Sequence, residues 1–260
     1  MRYDLHNHTT RCNHAVGTMD EYIEQAIKRG IDGFGFACHA PMEFDKAYRM
    51  SLSELSEYQD DVLKLKAQYA GVCDIVLGLE VDYLPGYMEE SVLNFECDYL
   101  IGSVHFIEGW GFDNPAFIAE YDRRDLDECW RIYLHETIAM AGCGYFDIVG
   151  HFDLFKVFGH QPSGHVQSDI LRTLEAIKES GMTMEINAAG LRKKVAEAYP
   201  SAEILRLAHT LEIPITFSSD AHAPEQVGYA REEIERMAKE AGYTHYAIFH
   251  KRQREMIPLR

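Results

Sequence analysis

The sequence feature that most constrains the fold is a repeated order of apolar strand, polar strand end and helix along the whole chain. Seven short apolar segments have the composition of buried strands, and each is closed by a histidine, a carboxylate or another polar residue. The segments are 3–9, 33–38, 75–79, 99–104, 147–150, 182–186 and 214–219. Strands that alternate with helices predict an α/β fold with a parallel sheet and right-handed crossovers.

Helices are predicted in the intervals between these strands. Thr18 with Glu21 and Ser51 with Glu54 have the spacing of capping boxes, so a helix is expected after each pair. Further helices are predicted at about 86–95, 128–141, 168–179, 203–211 and 225–241, and the type of the segment 246–257 is left open.

A closed barrel accounts for the polar strand ends better than an open sheet does. A doubly wound sheet also places sites at strand ends, but only a barrel gathers groups from all seven strands around one point. The 260 residues show no linker or low-complexity tract, and this length suits a single barrel domain over residues 1–260.

The charge and the cysteines limit the class of partner and the compartment. The chain carries 42 acidic and 25 basic residues, a formal net charge of −17. Because such a surface repels nucleic-acid phosphates, we expect a small-molecule partner and no nucleic acid. No signal peptide, membrane-spanning run or C-x-x-C pair is visible among six cysteines, so we expect a cytoplasmic protein with no membrane partner. The oligomeric state is not predicted.

Histidines and carboxylates at the strand ends predict a metal centre. His6 and His8 are two residues apart on a strand, so their side chains point the same way and suit one metal ion. The candidate ligands on the rim are His6, His8, His14, His39, Glu80, His105, His151, Asp220 and His222. This set is too large for one ion and suits two or three, with Glu80 as the natural bridge because it has two oxygens and comes from a middle strand.

These strand ends resemble the PHP family, which is named for polymerase and histidinol phosphatase. The similarity lies in the order His-x-His, His, Glu, His, His and Asp-x-His after strands one to five and seven. Motifs similar to the histidinol-phosphatase branch are 78–83 (Gly-Leu-Glu-Val-Asp-Tyr), 102–106 (Gly-Ser-Val-His-Phe), 109–113 (Gly-Trp-Gly-Phe-Asp), 150–154 (Gly-His-Phe-Asp-Leu), 185–193 (Glu-Ile-Asn-Ala-Ala-Gly-Leu-Arg-Lys) and 219–222 (Ser-Asp-Ala-His).

The resemblance implies a distorted (β/α)7 TIM-like barrel of PHP type with a trinuclear site for zinc, manganese or iron. It assigns His6, His8, Glu80 and Asp220 to a first ion, Glu80, His105 and His151 to a second, and His14, His39 and His222 to a third. The implied activity is hydrolysis of L-histidinol phosphate by a metal-activated hydroxide, in histidine biosynthesis. Asp220, Glu80 and His222 are the predicted catalytic residues, and which group moves the proton is left open.

Four further residues are predicted to contact the substrate. Arg192, at the mouth of strand six, suits bidentate binding of phosphate, and the alternative is a surface arginine at a helix start. Lys156 is a second cationic candidate or a solvated loop lysine. Glu43 is a candidate for the substrate's amine or imidazole, or an ordinary loop residue. Ser103 is a candidate contact or a hydrogen-bonded barrel residue.

Three other functions remain open from the residues alone. They are a PHP phosphoesterase for another small phosphate ester or nucleotide, an amidohydrolase-like barrel that cleaves C–N bonds, and a metal-binding protein without catalysis. The amidohydrolase type usually has a bridging lysine, and no lysine follows strands three or four. The stretch Asn-Ala-Ala-Gly at 187–190 also departs from the Asn-Thr-Ser-Gly that is more usual in the branch, so a hydroxyl contact is absent there.

Overall fold

The computed structural model of the protein describes residues 1–259. Its strands are β1 (Tyr3–Asp4), β2 (Gly33–His39), β3 (Asp74–Asp82), β4 (Tyr99–Ser103), β5 (Phe106–Ile107), β6 (Trp110–Gly111), β7 (Ile148–Val149), β8 (Thr183–Asn187), β9 (Ile215–Ser218), β10 (His245–His250) and β11 (Gln253–Pro258). Its α-helices are α1 (Met19–Lys28), α2 (Leu55–Gln68), α3 (Glu90–Leu93), α4 (Leu126–Gly142), α5 (Gln167–Ser180), α6 (Ala202–Thr210) and α7 (Arg231–Ala241).

Seven parallel strands form one sheet that curls into a nearly closed barrel. The strand order is β1-β2-β3-β4-β7-β8-β9, and all six pairings are parallel. The ends of the sheet meet at a seam, where Leu5 donates its amide to the carbonyl of Phe217 and Asn7 bridges Ala221. The predicted (β/α)7 barrel is therefore confirmed, and its carboxyl-terminal rim carries the polar strand ends.

The two predicted capping boxes are present. Thr18 accepts a hydrogen bond from the amide of Glu21 while the Glu21 side chain accepts from the amide of Thr18, and Ser51 and Glu54 form the same arrangement. The first box starts α1 directly. The second opens a short 3-10 turn that leads into α2.

Several predicted elements change their bounds, among them the last predicted helix, which begins at Arg231, and the segment whose type the sequence leaves open is now defined. Only Tyr3–Asp4 of the first predicted strand keeps regular pairing, because the following residues bond to both neighbouring strands at irregular intervals across the seam. The predicted helix at 86–95 contracts to Glu90–Leu93. The open segment at the end of the chain forms an antiparallel hairpin, β10–β11, which packs on β9 through a hydrogen bond from Thr216 to the carbonyl of Ala247.

Tyr99 is a large buried side chain at the floor of the barrel. The hydroxyl of Tyr99 donates to the carbonyl of Leu5 over 2.6 Å, and its ring lies against Gly35 and Gly78. A Cβ atom at either glycine would overlap this ring, so both positions require glycine for close packing. Tyr99 thus occupies the interior below the rim.

Two expectations from composition can be compared with the structure. No helix within residues 1–259 is long and apolar enough to cross a membrane. All six cysteines are free thiols, and four of them are buried.

Candidate metal centre

The nine predicted ligands all lie at the carboxyl-terminal rim of the barrel. Parallel pairing accounts for this, because strands that run in one direction end at one face. The bridge between Asn7 and Ala221 places the His-x-His segment beside the Asp-x-His segment across the seam. On the next strand pair, His39 stands in register with Glu80.

Glu80 lies at the centre of this cluster. Its Oε2 atom is 2.9 Å from His39 Nδ1 and 3.3 Å from His6 Nε2. Its Oε1 atom is 2.8 Å from His151 Nε2 and 3.6 Å from His105 Nε2. Only 1% of Glu80 is exposed. A buried carboxylate with imidazoles beside both oxygens has the arrangement that a bridging ligand requires.

Two close groups of potential ligand atoms share Glu80. Within each group the atoms lie within 4.8 Å of one another, and the groups are His6, His8 and Glu80, and Glu80, His105 and His151. They correspond to the residues predicted for the first and second ions. Asp220, also predicted for the first ion, places Oδ1 3.1 Å from His8 Nε2.

The three residues predicted for the third ion are brought together less tightly. The ring centroids of His14 and His222 are 4.6 Å apart, and that of His39 is 5.4 Å from His14 and 6.1 Å from His222. His39 and His222 instead form a close group of ligand atoms with His8. The three rings therefore lie on one side of the cluster, but their ligand atoms do not form one compact group.

The donor atoms in the cluster fit a bound cation. Buried atoms without a hydrogen-bond partner among residues 1–259 include His6 Nε2, His39 Nδ1 and Glu80 Oε2, which face one another at 2.9–3.3 Å. Such atoms are costly when they are left unsatisfied, and coordination to a cation satisfies them. A mixed set of imidazoles and carboxylates suits zinc, manganese or iron.

Two buried carboxylates that were not predicted hold the histidines in place. His6 Nδ1 lies 2.7 Å from Glu185 Oε1, and His105 Nδ1 lies 2.5 Å from Asp82 Oδ1. A carboxylate at Nδ1 leaves Nε2 directed at the cluster, as is usual for histidine ligands. Both carboxylates lie two residues from a polar residue of the rim on the same strand, and this period-two spacing was the available sequence signal.

Charges within the cluster shift the pKa values of its members. Burial lowers the pKa of His105, but Asp82 and Glu80 outweigh burial and raise it to about 10. Burial also lowers the pKa of His8, and hydrogen bonding to Asp220 raises it to about 9. Burial raises the pKa of Glu80, yet the surrounding histidines hold it well below its usual value. The carboxylates are therefore ionised at neutral pH, and a cation that binds here displaces protons from histidines.

A cavity of about 530 Å³ opens onto the cluster. Arg192 lines it, as predicted from the sequence, and donates Nη2 to the carbonyl of Asp220 over 2.9 Å. The Nη1 atom of Arg192 has no hydrogen-bond partner among the described residues, and the guanidinium lies 5.2 Å from the ring of Tyr229. A guanidinium on the cavity wall that is held by a hydrogen bond at one nitrogen is suited to an anion in the cavity.

Three predicted substrate contacts lie outside the cavity wall. Lys156 is a correction: it is fully buried, and its Nζ atom lies 2.7 Å from Glu197 Oε2 and 2.9 Å from Asp153 Oδ2, so its charge is used within the fold. Glu43 is also a correction, since its side chain is 72% exposed and pairs with the Nζ atom of Lys46 at 2.7 Å.

Ser103 takes the second of its two predicted roles. It is fully buried, and its hydroxyl donates to Glu80 Oε1 over 2.7 Å. It acts as a hydrogen-bonded barrel residue that supports the central carboxylate, and it does not line the cavity.

Comparison with known proteins agrees with this architecture. The PHP domain model matches residues 4–189, and the PHP-associated model matches residues 202–241. A Deinococcus radiodurans protein named "Probable histidinol-phosphatase" is 42% identical over 231 residues, which cover 87% of this chain and 88% of that protein. The histidinol-phosphatase of Bacillus subtilis strain 168 is 31% identical over 261 residues, which cover 88% of this chain and 96% of that protein.

Solved structures share the fold. A crystal structure of a protein from Listeria monocytogenes has a TM-score of 0.79 at 26% identity. The match covers 89% of this chain and 99% of the Listeria chain. Histidinol phosphate phosphatase from Lactococcus lactis, crystallised with zinc, L-histidinol and phosphate, has a TM-score of 0.83 at 20% identity and covers 98% of each chain. The family model covers most of the chain, and the relatives align over most of both lengths. The chain therefore belongs to the PHP family.

Proposed function

We propose that this protein is a metal-dependent phosphomonoesterase that hydrolyses L-histidinol phosphate to L-histidinol and phosphate. Relatives that carry the name histidinol-phosphatase align with 87% and 88% of the chain. The observation that carries the proposal is the convergence of histidines and acids from separate strands on Glu80, beside a cavity lined by Arg192.

We also infer the setting of the reaction. Residues 1–260 act as one catalytic domain in the cytoplasm, as part of histidine biosynthesis. The net charge of −17 favours a small-molecule substrate over a nucleic acid.

The cluster is proposed to hold three divalent ions, which are zinc, manganese or iron. The ligands are those assigned from the resemblance: His6, His8, Glu80 and Asp220; Glu80, His105 and His151; and His14, His39 and His222. When bound, such ions lower the pKa of a coordinated water and attract phosphoryl oxygens. Hydrolysis of phosphate monoesters is among the slowest uncatalysed reactions, so both effects are needed.

Asp220 is proposed to move the proton of the attacking water. Its Oδ2 atom accepts a hydrogen bond from Asn187 over 3.1 Å, which orients the carboxylate. Burial raises the pKa of Asp220, but His6, His8 and His222 hold it well below its usual value, so it is ionised and can accept a hydrogen bond from the attacking water. His222 Nδ1 lies 3.5 Å from Asp220 Oδ1 and is placed to share this role.

The cavity wall offers groups for both ends of the substrate. Arg192 is proposed to bind the phosphate, since its guanidinium lines the cavity beside Asp220. L-histidinol phosphate also carries an ammonium group and an imidazole, which require acidic and aromatic neighbours. Asp113, Asp45 and Phe106 line the cavity and supply both kinds of group.

Release of inorganic phosphate tests the proposal. Purified protein is assayed with L-histidinol phosphate, p-nitrophenyl phosphate, other amino-alcohol phosphates and a nucleoside monophosphate, with and without a chelator, alongside elemental analysis. We expect kcat/KM for L-histidinol phosphate to exceed that for generic esters by about 100-fold or more, because the cavity offers charged partners for its cationic end. The chelator should abolish activity, and zinc or manganese should restore it.

The outcomes of this panel separate the competing functions. Equal turnover of L-histidinol phosphate and generic esters would overturn the substrate assignment and favour a phosphoesterase of other specificity. Bound metal without phosphate release from any ester would favour a metal-binding role. The Glu80→Gln variant serves as the matched inactive control.

A further inference from the structure

Glu185 is a buried carboxylate whose two oxygens contact two different predicted metal ligands. Its Oε1 atom lies 2.7 Å from His6 Nδ1, and its Oε2 atom accepts a hydrogen bond from the backbone amide of His151 over 2.7 Å. Only 1% of Glu185 is exposed. His6 belongs to the close group around the first ion and His151 to the group around the second, so one side chain touches both groups.

A third contact extends this network to Asp220. The side-chain amide of Asn187 donates to Glu185 Oε2 over 3.0 Å and to Asp220 Oδ2 over 3.1 Å. Glu185 and Asn187 lie two residues apart on β8, so their side chains point to the same face of the strand, into the barrel. β8 itself lies between β7, which leads to His151, and β9, which leads to Asp220. The strand order thus places Glu185 where it reaches ligands from both sides.

All three contacts of Glu185 come from hydrogen-bond donors. An ionised carboxylate has only acceptor sites, so it can accept a hydrogen bond from each of these donors. A glutamine offers one acceptor oxygen, and its NH₂ group would face a donor. Burial of a charged group is costly unless the group is fully hydrogen-bonded. An ionised side chain at this depth therefore indicates a specific role. Glu185 does not line the cavity, and this role is therefore exerted through its neighbours.

We propose that Glu185 is a positioning residue that sets the geometry between the first and second metal subsites. It fixes the His6 ring with Nε2 directed at Glu80, 3.3 Å from Oε2, and it anchors the backbone from which His151 reaches the other oxygen of Glu80. This inference rests on the proposed metal sites of the previous section and goes beyond them, since Glu185 is not itself a ligand.

The test measures metal binding by the apoprotein and does not rely on activity alone. Wild type, Glu185→Gln and Glu185→Ala are stripped of metal and titrated with zinc against a chromophoric chelator. Thr183→Val is the matched control, because Thr183 is fully buried on the same strand and, among residues 1–259, its hydroxyl hydrogen-bonds only to Arg254, at 3.4 Å. Cobalt-substituted samples give a visible spectrum that reports ligand geometry, and kcat and KM are measured for L-histidinol phosphate.

We expect Glu185→Ala to lose about 10- to 100-fold in zinc affinity, as other outer partners of metal ligands do. Glu185→Gln should lose less, because its oxygen still accepts from His6. Both variants should change the cobalt spectrum and lower kcat with little change in KM. Should the alanine variant fail to fold, the glutamine variant and its spectrum decide the question.

The possible results separate a failure of this inference from a failure of the proposed metal sites. If the wild-type apoprotein binds no zinc, the proposed metal sites fail together with this inference. If the wild type binds zinc and both Glu185 variants match it in affinity, spectrum and kcat, the positioning role is refuted and the proposed function stands. Equal losses in Thr183→Val would also refute the role, since they would trace the effect to general damage of β8.

Discussion

Replacement of Glu80 by glutamine removes the one charge that the two best-defined ligand groups share. Both oxygens of Glu80 face imidazole nitrogens at 2.8–3.6 Å, and the side chain is 1% exposed. An amide offers a single neutral oxygen and turns an NH₂ group towards one of the two groups. Loss of a ligand should exceed the effect of losing an outer partner, which is about 10- to 100-fold in affinity. We therefore expect more than about 100-fold weaker binding, or about 3 kcal/mol, at both groups.

The assay for Glu80→Gln is elemental analysis after dialysis, paired with the rate of phosphate release. Glu80 Oε2 also lies 2.9 Å from His39 Nδ1, so the third set of predicted ligands should be disturbed as well, and the loss of metal should be greatest at the two groups that contain Glu80. Ser103→Ala is the control, because it removes the hydrogen bond of 2.7 Å to Glu80 Oε1 and a 3.5 Å contact with His151 Nε2 but leaves the charge of Glu80 in place. Full metal content and unchanged turnover in Glu80→Gln would refute the bridging role.

Three further variants test phosphate binding by Arg192, the structural role of Lys156 and the dependence of stability on pH. Arg192→Ala should raise KM by about 10- to 100-fold through loss of a charge-assisted hydrogen bond, and a fall in zinc content would contradict this role. Lys156→Met should lower the free energy of unfolding by about 3 kcal/mol by leaving Asp153 unpaired, and a raised KM without loss of stability would restore Lys156 as a substrate contact. Burial raises the pKa of Glu235, but Arg231 and Arg2 hold it below its usual value of 4.5. Its stabilisation is therefore complete above that pH and is lost as the pH falls. Urea unfolding should show Glu235→Gln about 2 kcal/mol less stable than wild type at pH 7. If this difference in unfolding free energy stays constant down to acid pH, the stabilising role of the ionised Glu235 is refuted.

The strand ends were predictable because period and chemistry agree there. A buried parallel strand reads as an apolar run, and a polar residue directly after it must lie on the rim of a barrel, so all nine candidate ligands were found from the sequence. The terminal hairpin was not, because His245–His250 mixes apolar and polar residues and its pairing depends on the distant surface of β9. Tertiary context decides such segments.

Side-chain partners were harder to predict than positions. The sequence placed Lys156 correctly after the fifth strand, but only the fold shows that Glu197, 41 residues later, reaches back to its Nζ atom. Likewise, Glu185 appeared only as part of a family-like motif, because its task depends on the spacing of two neighbouring strands. Local sequence patterns therefore predicted which residues lie at the rim of the barrel. The side-chain partners of each residue depend on long-range packing, which those patterns do not contain.

The seam of the barrel has a consequence for how the chain reaches its native state. Closure brings His8 to Asp220, which are 212 residues apart in sequence, and contacts of such separation form slowly because a long loop must be ordered first. Since few backbone bonds join the two edges there, a divalent cation that ligates both side chains would act as a reversible cross-link. We therefore expect a bound cation to assist assembly as well as chemistry, and protein without it to be slower to bring β1 and β9 together.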